Sequence, residues 1–244
     1  MWKARWNVIL NRVRIVHSAA DQRALLASLT AGPGPRILGF VNAHAMNYCA
    51  ADDGFFDALS GADILLRDGA GMEMLYRRAR REPGINMNGT DFIPRILEAF
   101  RGRSVAFWGT TEPFLQQAAL RGASEFGVSI ASCEHGFASF EHYFGLIDDM
   151  APDLIVLSMG MPKQEQLALE LRERAHGTTL IVCGGAILDF LGGRVARAPP
   201  FLRNAGLEWL YRFLREPRRL FKRYVLGNPK FLVRLISWTR NNAA

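Results

Sequence analysis

Short runs rich in Val, Ile, Leu and Phe recur at 36–41, 63–66, 104–108, 128–132, 154–158 and 180–183. Each is too short for a buried helix and has the composition of a buried strand. Stretches of helical pattern at 20–29, 45–58, 72–80, 92–100, 113–125, 141–150 and 162–174 alternate with them. A helix after each strand carries the chain back over the sheet, so that the next strand runs in the same direction. The alternation therefore predicts an α/β fold built on a doubly wound, mostly parallel sheet. An extra strand is expected through 8–16. Ser18 is placed to cap the helix near residue 20, and Pro113 stands where a first-turn proline belongs. A chain of 244 residues, 49% hydrophobic and 22% charged, suffices for one large domain with a small appendage.

The charge is unevenly placed. Between Arg194 and Arg240 there are twelve Arg or Lys against Glu208 and Glu216; the remaining eighteen basic and twenty-one acidic residues leave the rest slightly acidic. Trp209, Tyr211, Phe213, Phe221, Tyr224, Phe231 and Trp238 are interleaved with the cations. These features divide the chain into an α/β domain over 1–197 and a basic, aromatic helical appendage over 198–244, beginning at Ala198-Pro199-Pro200. Pro217 is expected to start a helix that Gly227 ends, and Asn228-Pro229 to cap a last one. In the first, Leu220, Phe221, Tyr224 and Val225 form one stripe and Arg218, Arg219, Lys222 and Arg223 the opposite one. In the second, Phe231, Leu235 and Trp238 share a face, with Lys230 and Arg234 on another. Such helices suit an anionic membrane surface, and equally a helix packed on the body with a solvated basic face. Nucleic acid is the other anionic partner the pattern allows, although no recognised nucleic-acid motif is present.

Three well-separated cysteines, Cys49, Cys133 and Cys183, argue against a disulfide framework and a zinc site. No run reaches the roughly twenty apolar residues of a membrane span. A cytoplasmic protein that lies on a membrane rather than crossing it is the expectation.

In a doubly wound, Rossmann-like sheet, ligands bind beyond the carboxyl ends of the strands. Five loops bring glycine or small polar residues there: Asn42-Ala43-His44, Asp68-Gly69-Ala70-Gly71, Gly109-Thr110-Thr111, Gly160 to Glu165, and Gly184-Gly185-Ala186. Gly109-Thr110-Thr111, before a helix N-terminus, and Gly184-Gly185 can offer backbone N–H groups to phosphate. Asp68 is the leading candidate for chemistry, a carboxylate able to take a proton from a substrate hydroxyl; alone, a cap aspartate would explain it as well. His135 is a candidate ligand contact, with a structural role at least as ready an explanation. Met74 stands where a dinucleotide fingerprint needs its third glycine. No Asp-x-Asp pair is present to hold a metal on a sugar-nucleotide diphosphate, so arginines or helix N-termini would have to neutralise it.

Together these segments resemble the WecG/TagA/CpsF family of bacterial glycosyltransferases. The likeness runs from Val41 to Phe231. It includes Asn42, Asp63 to Gly69, Asn88-Gly89-Thr90-Asp91, Gly109, His135-Gly136, Pro152-Asp153, Gly160-x-Pro162-Lys163-Gln164-Glu165 and Gly184-Gly185-Ala186-x-x-Asp189-Phe190. Arg197-Ala198-Pro199, Gly206 to Trp209, Tyr211-Arg212, Glu216-Pro217-x-Arg219 and Arg223-Tyr224 complete it. The resemblance implies an inverting transferase that needs no metal or other cofactor. Its donor would be a UDP-sugar, and its acceptor a saccharide on a polyprenyl diphosphate at the inner face of the cytoplasmic membrane. Its product would enter exopolysaccharide, capsule, teichoic acid or common antigen. By the same resemblance Asp68 is the general base, and Asn42, Asn88, Asp91 and Gln164 belong to or flank the pocket. Arg212, Arg219 and Arg223 belong to a basic appendage that closes over it. Phe40 departs from the threonine frequent two residues before the pocket asparagine. UDP-glucose, UDP-N-acetylmannosamine and its uronic acid remain open as donors, and self-association is open too.

Overall fold

The computed structural model describes residues 1–204 and 206–242. The chain opens with α1 (Trp2–Arg12), β1 (Val13–Arg14) and α2 (Ala19–Ala31). Strand β2 (Arg36–Val41) leads through α3 (Ala43–Cys49) and α4 (Asp53–Ser60) to β3 (Ile64–Arg67). Helices α5 (Gly69–Arg78) and α6 (Gly89–Ala99) lead on to β4 (Ser104–Gly109). Helix α7 (Phe114–Arg121), closed by a π turn over Gly122–Phe126, precedes β5 (Ser129–Glu134). Then come α8 (Phe140–Asp149), β6 (Leu154–Ser158), α9 (Lys163–Arg174), β7 (Leu180–Cys183) and α10 (Ile187–Leu191). The C-terminal part holds α11 (Pro200–Asn204), α12 (Glu208–Arg215), α13 (Pro217–Phe221), a π turn (Lys222–Leu226) and α14 (Gly227–Asn242).

The seven strands form one sheet in the order β1-β3-β2-β7-β6-β4-β5, every pairing parallel. Helices cover both faces, as the alternation predicts. Successive side chains of a strand point to opposite faces, and here they fill two cores. Ile37, Val41, Leu65, Trp108, Ile155, Leu157 and Ile181 enter one. Leu38, Phe40, Leu66, Val105, Phe107, Val156 and Val182 enter the other. Burial on both faces is why the strands read as continuous apolar runs.

Three local expectations change. The strand expected through 8–16 is mostly helix α1; only Val13 and Arg14 pair, with Leu65 and Leu66. Trp6, Ile9, Leu10 and Val13 are buried at helical spacing, and that stripe wins over the β-branched composition. The helix expected over 45–58 is two, because the Asp52 carboxylate accepts from Phe55 N at 2.8 Å and caps α4. Gly227 does not end a helix, nor does Asn228-Pro229 start one. The backbone stays helical from Pro217 through the π turn into α14, and Pro229, which has no N–H to return to the preceding turn, follows directly on the widened segment. The Ser18 cap is present as a full capping box with Asp21.

Helix α14 is built into the main core. Phe231, Leu235 and Trp238 are buried there with Trp6, and the Trp6 and Phe231 rings stack at 5.4 Å. Trp238 Nε1 donates to Asn7 Oδ1 at 2.9 Å, and Arg234 reaches the Asn47 carbonyl at 3.0 Å. Asn47 Nδ2 in turn donates to the Gly227 carbonyl at 2.8 Å. Trp238→Ala is therefore expected to destabilise the whole protein by about 3–5 kcal/mol in denaturant unfolding, where a separately folded tail would leave the main transition in place.

Candidate active site

All five polar loops converge at the carboxyl ends of β2, β3, β4, β6 and β7, on both sides of the point where the chain crosses from one half of the sheet to the other. Two cavities open there. The first, of about 430 Å³, is lined among others by Phe40, Thr110, Gly136, Phe137, Gln164 and Gly185, with Arg194 and Arg219 on its wall. The second, of about 350 Å³, is lined by Met74, Asn86, Asn88, Trp209, Tyr224 and Leu232 among others. They share Asn42, His44, Asp68, Thr90, Arg212 and Arg223.

Asp68 stands at this junction. It occupies the N-cap position of α5, yet its side chain makes no capping bond. The Gly69 N–H is instead taken by Asn86 Oδ1 at 2.8 Å. The Asp68 carboxylate is left to face the cavities, with Asn42 Nδ2 donating to Oδ2 at 3.2 Å. Asn42 can aim its amide because its Oδ1 is fixed as the cap of α3, accepting from His44 N and Ala45 N. Burial raises the proton affinity of Asp68; the Asn42 hydrogen bond and the charges of Arg223, Arg212 and Arg67 oppose it, and the net direction is upward. Beneath it, buried Arg67 spends its guanidinium on the carbonyls of Pro83, Gly69 and Gly84, holding the following loop in place.

The remaining predicted residues separate into three groups. Gln164, Gly184, Gly185, Thr110, Arg212, Arg219 and Arg223 line the first cavity, and Asn88 lines the second. Gly109, Asp91 and His135 line neither. Gly109, at φ +152°, lies so close to Ser158 that a Cβ would sit 2.3 Å from its carbonyl oxygen. Asp91 pairs with Asn88 and, at 2.9 Å, with Arg197; burial disfavours its charge, but these partners hold its carboxyl below the usual range. His135 is exposed and accepts from Phe137 N, while Gly136 and Phe137 form the wall.

Three of the backbone donors expected to cradle phosphate are already engaged. Thr110 N donates to the Ser158 carbonyl, Gly184 N to the Leu157 carbonyl and Gly185 N to Gln164 Oε1. The cations have more freedom. Arg212 and Arg223 face the junction without an ion-pair partner among the described residues, and the Nε of Arg212 is a buried donor with no acceptor. Burial, and the neighbouring charges of Arg223 and Arg219, weaken Arg212's hold on its proton. A site with half-buried guanidiniums that lack an ion-pair partner is suited to an anion. His44 stays neutral beside them, its pKa pushed down to about 4 by burial and by Arg223.

The sequence model of the Glycosyl transferase WecG/TagA/CpsF family matches residues 8–244. The chain belongs to this family, and it is a glycosyltransferase. It is 28% identical over 189 residues to the N-acetylglucosaminyldiphosphoundecaprenol N-acetyl-beta-D-mannosaminyltransferase of Bacillus spizizenii, covering 76% of this chain and 72% of that protein. It is 25% identical over 209 residues to the protein of the same name from Bacillus subtilis, covering 84% and 80%.

Several residues in or beside this transferase's candidate site had no role assigned from the sequence. Arg194 and His44 carried no motif, and Asp189 and Glu165 stood in recognised motifs without an assigned role. Glu165 is almost wholly buried. Its Oε1 accepts from Gln164 Nε2 at 2.8 Å, while Oε2 has no partner among the described residues. Burial pushes its pKa up to about 7, against the Gln164 hydrogen bond. A raised carboxyl pKa means that the folded state binds the proton more tightly than the unfolded one, so this contribution is full below pH 4.5 and is lost as pH rises through 7. From pH 4.5 to pH 8, Glu165→Gln should gain about 3 kcal/mol of unfolding free energy relative to the parent protein. Chemical denaturation at the two pH values measures it.

Proposed function

We propose that this protein is an inverting, metal-independent transferase that moves a sugar from a UDP-sugar onto a polyprenyl-diphosphate-linked saccharide, in the synthesis of a bacterial cell-surface polysaccharide. The observation that carries this reading is the half-buried Asp68 at the meeting of two cavities, with Arg212 and Arg223 beside it. The donor occupies the first cavity, where small residues leave room for a nucleotide and four arginines meet its diphosphate. The acceptor saccharide occupies the second, against Trp209 and Tyr224, with Asn86 and Asn88 as polar contacts. The two named relatives make UDP-N-acetylmannosamine the first donor to test, with its uronic acid and UDP-glucose beside it.

In this mechanism Asp68 takes the proton of the acceptor hydroxyl as that oxygen attacks the anomeric carbon from the second cavity. The bond from the anomeric carbon to the diphosphate breaks on the opposite side, and the electron pair leaves with UDP. Arg212 and Arg223 stabilise the charge developing there. One displacement inverts the anomeric centre. The burial that raises Asp68's proton affinity makes it a better base, and Asn42 keeps its carboxylate oriented.

The C-terminal part supplies the arginines and the membrane contact together. Leu220 is buried while Arg219 and Arg223 face the cavity, so the cationic stripe of the sequence reading splits between the site and the surface. Phe201, Leu210, Leu214, Phe221, Val225, Leu226, Val233 and Ile236 are exposed, with Arg215, Arg218, Lys222 and Lys230 exposed among them. No helix among the described residues is long and apolar enough to cross a membrane. This mixed surface fits a protein lying on anionic lipid, where a lipid-borne acceptor is delivered.

A transfer assay with the relatives' acceptor, on a short soluble prenyl chain and in anionic vesicles, tests both parts. Asp68→Asn should lower transfer by at least about 100-fold while keeping UDP binding; near-normal transfer would remove Asp68 as the base. Replacing Leu214, Phe221 and Leu226 with Ser should spare transfer to the soluble acceptor and impair vesicle binding and transfer there. Unchanged vesicle binding, or preference for oligonucleotides over vesicles, would refute the membrane assignment.

A further inference from the structure

Asp189 belongs to the Gly184-Gly185-Ala186-x-x-Asp189 segment, yet the mechanism above does not use it. It is 7% exposed, and it meets partners from three separate parts of the chain. Its Oδ1 accepts from Thr110 Oγ1 at 2.5 Å and from Arg194 Nη1 at 3.4 Å, and its Oδ2 accepts from Arg219 Nη1 at 3.2 Å. All four residues line the first cavity.

Two features set this carboxylate apart from an ordinary buried ion pair. Thr110 has φ +50°, a left-handed conformation that a β-branched residue adopts only under constraint. Its hydroxyl on Asp189, its N–H on the Ser158 carbonyl and its carbonyl under Gly136 N supply that constraint. Arg219, moreover, has two carboxylates to choose from. Its Nη2 donates to Glu216 Oε2 at 2.8 Å, one turn back on its own segment, and only Asp189 draws it across the cavity.

The cavity walls carry Arg194, Arg212, Arg219 and Arg223 against Asp68 and Asp189, with His44 neutral. The two excess positive charges match the two negative charges of a nucleotide-sugar diphosphate. A flexible guanidinium binds an anion well only if its geometry is set beforehand.

We propose that Asp189 is a positioning residue of this transferase: it holds Arg194 and Arg219 on the wall of the first cavity, so that the donor diphosphate meets guanidiniums already aimed. The proposal rests on the reading of that cavity as the donor site. Asp189 touches neither the reacting carbon nor the acceptor; it acts through the arginines, and through Thr110 it ties their position to the loop after β4.

The test is calorimetric binding of UDP and of inorganic pyrophosphate to the full chain. Asp189→Asn keeps an acceptor for Thr110 and turns an amide donor toward Arg219, so both ligands should bind about tenfold more weakly. Arg219→Gln should lose a similar factor, and the double variant should lose clearly less than the product of the two, since Asp189 acts partly through Arg219 and for the rest through Arg194. Glu216→Gln, which leaves the buried carboxylate in place, should keep or tighten pyrophosphate binding. Tighter binding in Asp189→Asn would mean that the carboxylate only repels the anion. Losses that multiply in the double variant, or a tenfold loss in Glu216→Gln, would mean that Asp189 does not aim Arg219. Each of these results overturns the proposal. Binding of pyrophosphate without UDP would strike the donor reading instead, and the Asp189 variants on pyrophosphate would still decide the positioning role.

Discussion

A carboxylate at the end of an interior parallel strand is costly to bury and useless for catalysis if it is consumed by a helix cap. The hydrogen bond from Asn42 to Asp68 meets both conditions. Asn42 is rigid because its oxygen caps α3, and Asp68 is unconsumed because Asn86 takes the Gly69 N–H in its place. Residues from three loops thus hold one side chain half out of water, pointed at the place where two cavities join. The arginines follow from the same constraint: a burial that raises the proton affinity of Asp68 also strengthens the attraction between unmatched guanidiniums and an incoming diphosphate.

The C-terminal part then becomes intelligible as part of the cavity wall. Arg212, Arg219 and Arg223 reach the cavity only because α14 is clamped into the core by Phe231, Leu235 and Trp238, against Trp6 and the start of α3. The helix that supplies the anchor begins at Gly227, four residues after the last of these arginines, and the carbonyl of that glycine is held by Asn47 on the helix that Asn42 caps. The anchor, the arginines on the cavity wall and Asp68 are mechanically linked through α3. Leu210, Leu214, Phe221, Val233 and Ile236, on α12, α13 and α14, are exposed and line neither cavity, so one short length of chain carries cations on the cavity wall and hydrocarbon on the surface.

Parallel topology and the ring of loops were legible because they depend on periodicity, which a doubly buried sheet writes plainly into six apolar runs. Asp68 was legible as a loop carboxylate, and the family likeness singled it out from an ordinary cap. What the sequence hid was what each group was bonded to. Gly184 and Gly185 look like phosphate cradles until their N–H groups are found on Leu157 and Gln164. Asp91 looks like a pocket acid until Arg197 claims it. The amphipathic reading of 217–227 put Arg219 and Arg223 on one stripe with Arg218 and Lys222, whereas the first two line the cavity; from Lys222 onward the wider π turn also departs from a helical period of 3.6. Asp189 went unassigned because its partners lie 79 residues before it and 30 after.

The central claim is that Asp68 lies between a donor diphosphate held by Arg212 and Arg223 and an acceptor in the adjoining cavity. A crystal structure of the protein with UDP addresses it most directly. The account predicts the diphosphate on those two guanidiniums in the first cavity, its terminal phosphate nearest Asp68 and the second cavity open beside it. UDP seated in the second cavity, or a diphosphate with no guanidinium contact, would contradict it.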